Sequence, residues 1–159
     1  GLINRGGTGI VKTLIGLVIL FSSFEVFAAK QNDEQLYVEV IKSFRVRNQL
    51  ALKKNVDALV TNHPTSAFAD NAIYLRGQFL MQNRQYTEAI REFQKLTEKY
   101  PRSNKVAAAL FSKGQAYRKL NVFDIAQQTF KQVKKQFPGS PEADRCDLEL
   151  KLVEVQQGG

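Results

Sequence analysis

From residue 33 onward the apolar positions fall into short helical stripes separated by polar or proline-bearing breaks. Residues 67–82 place Ala69, Ala72, Ile73, Gly77 and Leu80 along one face. Residues 86–100 place Ala89, Ile90, Phe93, Leu96 and Tyr100 at spacings of three and four, and Asn83-Arg84-Gln85 separates the two stripes. Such a pattern predicts two amphipathic helices joined by a tight turn. An aromatic residue followed by proline then ends the second helix, because the proline ring has no N–H to continue the ladder. The serine two residues later is expected to cap the free amides of the next helix.

The punctuation recurs. Pro64, Pro101 and Pro138 are spaced by 37 residues, and Ser66, Ser103 and Ser140 follow them. The same shift lays Gly77 on Gly114, Gln78 on Gln115, Tyr86 on Phe123, Ala89 on Ala126, Phe93 on Phe130 and Tyr100 on Phe137. Another column joins Ala72, Ala109 and Cys146, so the lone cysteine is expected to pack as a small buried residue rather than react. Upstream, Leu52, Val56, Leu59 and Pro64 fall on the second-helix columns, and residues 33–47, with Leu36, Val40, Ile41 and Phe44, supply the first helix of a degenerate unit. Downstream, residues 141–156 form one helix without a partner, and Leu148, Leu150, Leu152 and Val155 are expected to cover the last hairpin as a terminal cap.

These columns resemble the tetratricopeptide repeat, in which a small residue in the first helix is followed by a small residue, an aromatic and a closing proline in the second. Gly77, Ala89, Phe93 and Pro101 stand at those spacings, as do Gly114, Ala126, Phe130 and Pro138. The period is longer than the usual 34, with the extra residues around proline and serine. Ile73 and Leu110 replace the family's opening tryptophan, and Arg76 and Lys113 replace its leucine before glycine. The resemblance implies an all-α fold, a right-handed superhelix of about three helix-turn-helix hairpins (33–64, 65–101, 102–138) with a C-terminal capping helix at 141–156. The repeat form is similar to that of exported proteins: the Tol–Pal-associated cell-division coordinator and the assembly lipoprotein of the outer-membrane β-barrel machinery.

In the resembled family the exposed positions of each first helix line the inner face of the stack. Carried over, they are Tyr37, Ile41 and Phe44 in the first unit, then Asn71, Tyr74, Gln78 and Met81, then Ala108, Phe111, Gln115 and Arg118. Tyr37, Tyr74 and Phe111 share one column, continued by Leu148. Flanked by Asn71, Gln78, Gln115, Arg118 and Lys119, this row is a candidate site for an extended peptide, with rings for apolar contact and bases for a carboxylate or phosphate. The same row also reads as packing between helices, and the sequence leaves both readings open.

Residues 13–29, TLIGLVILFSSFEVFAA, change the picture of where the chain works. The apolar run 14–21 is too short to span a bilayer, Lys12 flanks it, and Val26-Phe27-Ala28 suits a cleavage site. The expectation is a leader and signal peptide over 1–28, with 1–10 preceding the native start, then a repeat domain over 29–159. That places the protein in the periplasm of a Gram-negative bacterium; an uncut segment would instead anchor it to the inner membrane.

Apolar residues make up 43% and charged residues 24%, enough for a core. The net charge of +8 favours acidic partners. One cysteine and one histidine, His63, leave no disulfide, no Cys/His metal cluster and no Ser-His-acid set, and no phosphate-binding glycine loop ends in lysine-serine. The expectation is a non-enzymatic adaptor without cofactors that binds another envelope protein or peptide, in Tol–Pal/cell division or outer-membrane assembly. The alternatives are charge-driven binding to an anionic envelope polymer or lipid, and a membrane-anchored scaffold. Export argues against nucleic acid.

Overall fold

The computed structural model describes residues 31–159, so the leader and signal peptide expected over 1–28 lies outside the described residues. Seven helices follow one another: α1 (Asp33–Arg45), α2 (Gln49–Asn62), α3 (Ala69–Gln82), α4 (Tyr86–Lys99), α5 (Val106–Lys119), α6 (Phe123–Gln136) and α7 (Pro141–Gln157). They pack in sequence as the hairpins α1–α2, α3–α4 and α5–α6, with α7 against α5 and α6. The all-α hairpin stack expected from the 37-residue spacing is what forms.

Each hairpin turns through a single left-handed residue: Arg47 (φ 56°), Arg84 (φ 58°) and Asn121 (φ 60°). The next amide then reaches back to a carbonyl of the first helix, Asn48 N to Ser43 O at 2.9 Å, Gln85 N to Leu80 O at 2.9 Å and Val122 N to Tyr117 O at 2.9 Å. These bonds satisfy carbonyls that a helix end leaves free. The sequence places no glycine at these turns, so each non-glycine residue there carries a backbone cost of about 1 kcal/mol.

The core is built from the repeat columns. Phe93 and Phe130 are fully buried, and each ring lies against a glycine of the preceding helix, Gly77 and Gly114. Ala72, Ala109 and Cys146 are fully buried in their shared column. Burial pushes the Cys146 thiol up to about 11, with Glu149 and Asp147 adding to it against Lys134 and Arg145, so the group stays a neutral packing residue.

Two expectations are corrected. Ser66 and Ser103 do not cap helices: Ser66 Oγ accepts from Phe68 N at 3.1 Å and Ser103 Oγ from Lys105 N at 3.0 Å, within a short turn that delays α3 and α5 to Ala69 and Val106. Their hydroxyls instead donate to the preceding repeat, Ser66 to Asp33 (2.8 Å) and Ser103 to Asp70. Only Ser140 caps, accepting from Ala143 N at 3.0 Å, because Pro141 directly begins α7. Second, α7 covers the last hairpin with Ala143, Cys146, Glu149 and Val153, supported by half-buried Leu150. Leu148 and Val155 are 64% and 73% exposed and Leu152 also faces out, because the 3.6-residue period puts them on the opposite side from the Cys146 column.

Arg76, which stands where the resembled family has leucine, has a local reason. Its guanidinium donates to Glu92 at 2.8 Å and reaches Asp57 at 3.5 Å, tying α2, α3 and α4 together. Burial raises the Glu92 pKa against the opposing charges of Arg76 and Lys95, and Glu92 Oε2 has no hydrogen-bond partner. Burial also pushes Asp57 up, but the Lys53 hydrogen bond and the charges of Arg76, Lys53 and Lys95 outweigh it and lower its pKa.

Candidate protein-binding face

The first helices α1, α3, α5 and α7 lie side by side, and the predicted row runs across them. Its members meet across repeat junctions. Tyr37 stacks on Phe68 with centroids 4.8 Å apart, and its hydroxyl accepts from Asn71 Nδ2. Gln78 Nε2 donates to Ser112 Oγ at 2.8 Å. Gln115 Nε2 donates to Glu149 Oε1 at 2.7 Å, while Arg118 donates to Glu149 Oε2 at 2.7 Å and to Gln156 Oε1 at 3.0 Å.

Exposure along the row is uneven. Tyr37, Asn71, Tyr74, Gln78, Met81 and Gln115 are half-buried, and Lys119 is exposed. Phe111 is only 2% exposed and Arg118 8%, so these two present little to a ligand while α7 is in place. The physical reason is that α7 packs on α5 as the first helix of a further repeat would. The Arg118–Glu149 ion pair then closes a buried joint, and the guanidinium of Arg145 sits 4.3 Å above the Phe111 ring. Part of the row therefore serves the packing role that the sequence left open.

Tyr74 is the accessible centre of what remains. Its ring lies 6.1 Å from Phe93, and the ammonium of Lys105 stands 5.5 Å above it. Burial raises the Tyr74 phenol, and the charge of Glu142 adds to this against the Ser112 hydrogen bond and Arg145. A half-buried ring with a cation over it offers apolar contact and a positive charge to one ligand group. Lys105, the residue just before α5, lies outside the columns from which the sequence drew the row, and Arg145, the fifth residue of α7, lies in the helix read as a terminal cap. The row's own hydrogen bonds also run off the repeat register: Tyr37–Asn71, Gln78–Ser112 and Gln115–Glu149 each join residues 34 apart rather than 37.

Among the described residues no group of three His, Cys, Asp or Glu side chains gathers at metal-binding distance, and no helix is long and apolar enough to cross a membrane. His63 is the C-cap residue of α2, its amide bonded to Leu59 O at 2.9 Å.

Residues 68–146, spanning α3 to α6 and the start of α7, match the family described as YfiO: Outer membrane lipoprotein. Comparison with curated proteins gave no match.

Proposed function

We propose, from the match of residues 68–146 to the YfiO outer membrane lipoprotein family, that this chain is a non-enzymatic adaptor of the cell envelope that works facing the periplasm. Its first-helix face holds an extended segment of another envelope protein. The observation that supports this most directly is the half-buried Tyr74 under Lys105, flanked by Asn71, Gln78 and Met81. Tyr37 extends the face toward the N-terminal repeat and Lys119 toward the end of α5. The matched family is an outer-membrane one, which favours outer-membrane assembly over the cell-division pathway.

The bound segment is expected to place an apolar side chain against Tyr74 and a carboxylate near Lys105. Affinity capture from detergent-solubilised envelopes tests this, with the tethered full chain beside a Tyr74→Ala, Lys105→Glu variant. Arg118→Glu is unsuitable as a control, because it breaks the buried pair with Glu149 and reports on folding. One protein retained at high salt by the parent and lost by the variant supports the adaptor reading. Equal retention by both removes this face from the mechanism.

A further inference from the structure

The four first helices run in the same direction, so their C-terminal ends and the turns that follow share one edge of the stack. Arg47, after α1, donates to Gln82 Oε1 (2.8 Å) and Asn83 Oδ1 (2.7 Å) at the end of α3, and Arg118 reaches Gln156 at the end of α7. Large apolar side chains stand exposed along this edge. Val46 and Leu50 are 72% and 78% exposed at the first turn, Leu120, Val122 and Ile125 follow at the third, and Val155 projects from the last turn of α7. The middle turn presents Asn83, Arg84 and Gln85 in the equivalent places.

The tips of these turns carry Arg45, Arg47, Arg84 and Lys119 and no carboxylate; Glu88 and Asp124 enter only with the helices that follow. Arg45, Arg84 and Lys119 make no ion pair among the described residues. The opposite edge has a different chemistry: the Ser66–Asp33 and Ser103–Asp70 bonds and the Tyr100 hydroxyl on Pro64 O. Away from the turn edge, Val38 and Leu148 are 49% and 64% exposed among the described residues, but each stands within a helix, α1 and α7, rather than at a turn. Exposed aliphatic tips interleaved with unpaired cations suit an interface that is apolar inside and anionic at its surface.

We infer that the hairpin-turn edge is a peripheral contact for an anionic phospholipid surface, with Val46, Leu50, Leu120 and Val122 entering the headgroup boundary while Arg45, Arg84 and Lys119 meet lipid phosphates. This surface is distinct from the centre at Tyr74 and meets the first-helix face only at Lys119, the last residue of α5. Its contact aligns the stack with its turns on the membrane and leaves the first-helix face open to a protein partner.

The sequence contains no tryptophan, so a single Leu50→Trp substitution in the full chain reports on this edge alone. A Thr65→Trp variant reports on the opposite edge. The expected result with phosphatidylglycerol-containing vesicles is a blue shift of emission for Leu50→Trp and none for Thr65→Trp. In the Leu50→Trp background, Arg84→Glu with Lys119→Glu should weaken the vesicle titration by about tenfold or more, since each cation is worth about fivefold. Circular dichroism confirms that the exposed substitutions leave the helices intact. Unchanged Leu50→Trp emission overturns the proposal even if the apolar run 14–21 carries the chain to vesicles. An equal shift at Thr65→Trp also overturns it. So does a shift caused by solubilised envelope proteins but not by vesicles, which would assign the edge to a protein.

Discussion

Gly114→Ala puts the packing logic of the repeats to a direct test. A Cβ built at Gly114 would stand 2.7 Å from Phe130 Cε1 and 3.0 Å from both Cδ1 and Cζ. Carbon atoms in good contact lie about 3.5–4.0 Å apart, so the ring would have to retreat by roughly 0.8 Å or more. Phe130 is fully buried and packs 5.8 Å from Phe111, so that retreat displaces its neighbours. Overpacking of this kind costs about 1–3 kcal/mol, while alanine in a helix interior gains about 1 kcal/mol over glycine. The net expectation is a loss of about 1 kcal/mol, and a larger loss for Gly77→Ala, whose added atom would fall still closer to Phe93. Urea unfolding followed by circular dichroism gives both values from midpoint and slope. Adding Phe130→Leu to Gly114→Ala should reveal a favourable coupling of about 1 kcal/mol in a double-mutant cycle, because the shorter side chain leaves room for the methyl. If both alanine variants gain the full helix propensity and the cycle shows no coupling, close approach of ring to backbone is not what requires glycine in this column.

Glu149→Ala should cost about 3 kcal/mol in the same assay, because it strands the buried Arg118, whereas Arg118→Met with Glu149→Leu should lie close to the parent. The Asp57–Arg76–Glu92 cluster predicts two opposite pH dependences. Asp57, with its lowered pKa, contributes stability above its unfolded pKa that is lost as pH falls through the folded one; the parent's advantage over Asp57→Asn should therefore shrink on acidification. Glu92, with its raised pKa, binds its proton more readily when folded, so the parent should gain on Glu92→Gln as pH falls through the folded pKa; a change of the opposite sign in urea midpoints against pH would refute either assignment. Cys146, buried with its pKa near 11, should resist a thiol reagent at neutral pH in the folded chain and react fully in urea; rapid labelling of the native protein would contradict its place in the core.

The hairpins were legible in the sequence because local chemistry dictates them. Apolar residues at three- and four-residue spacing, small residues facing rings, and prolines on a fixed interval leave the chain few ways to bury its surface. That logic holds for Ala72, Ala89, Phe93 and Cys146, whose burial follows from their columns alone. What the tertiary structure decided depends on rotation and on neighbours absent from the local pattern. The roles of Ser66 and Ser103 changed because a turn ahead of α3 and α5 lets their hydroxyls reach acids in the preceding repeat. Phe111 and Arg118 left the accessible face because α7 packs over α5, and Leu148 and Val155 became exposed by the same packing. Lys105 over Tyr74 and the apolar, basic turn edge arise where separate helices end together in space. A repeat column specifies which residues are equivalent; only the stacked helices specify which of them stay in contact with solvent.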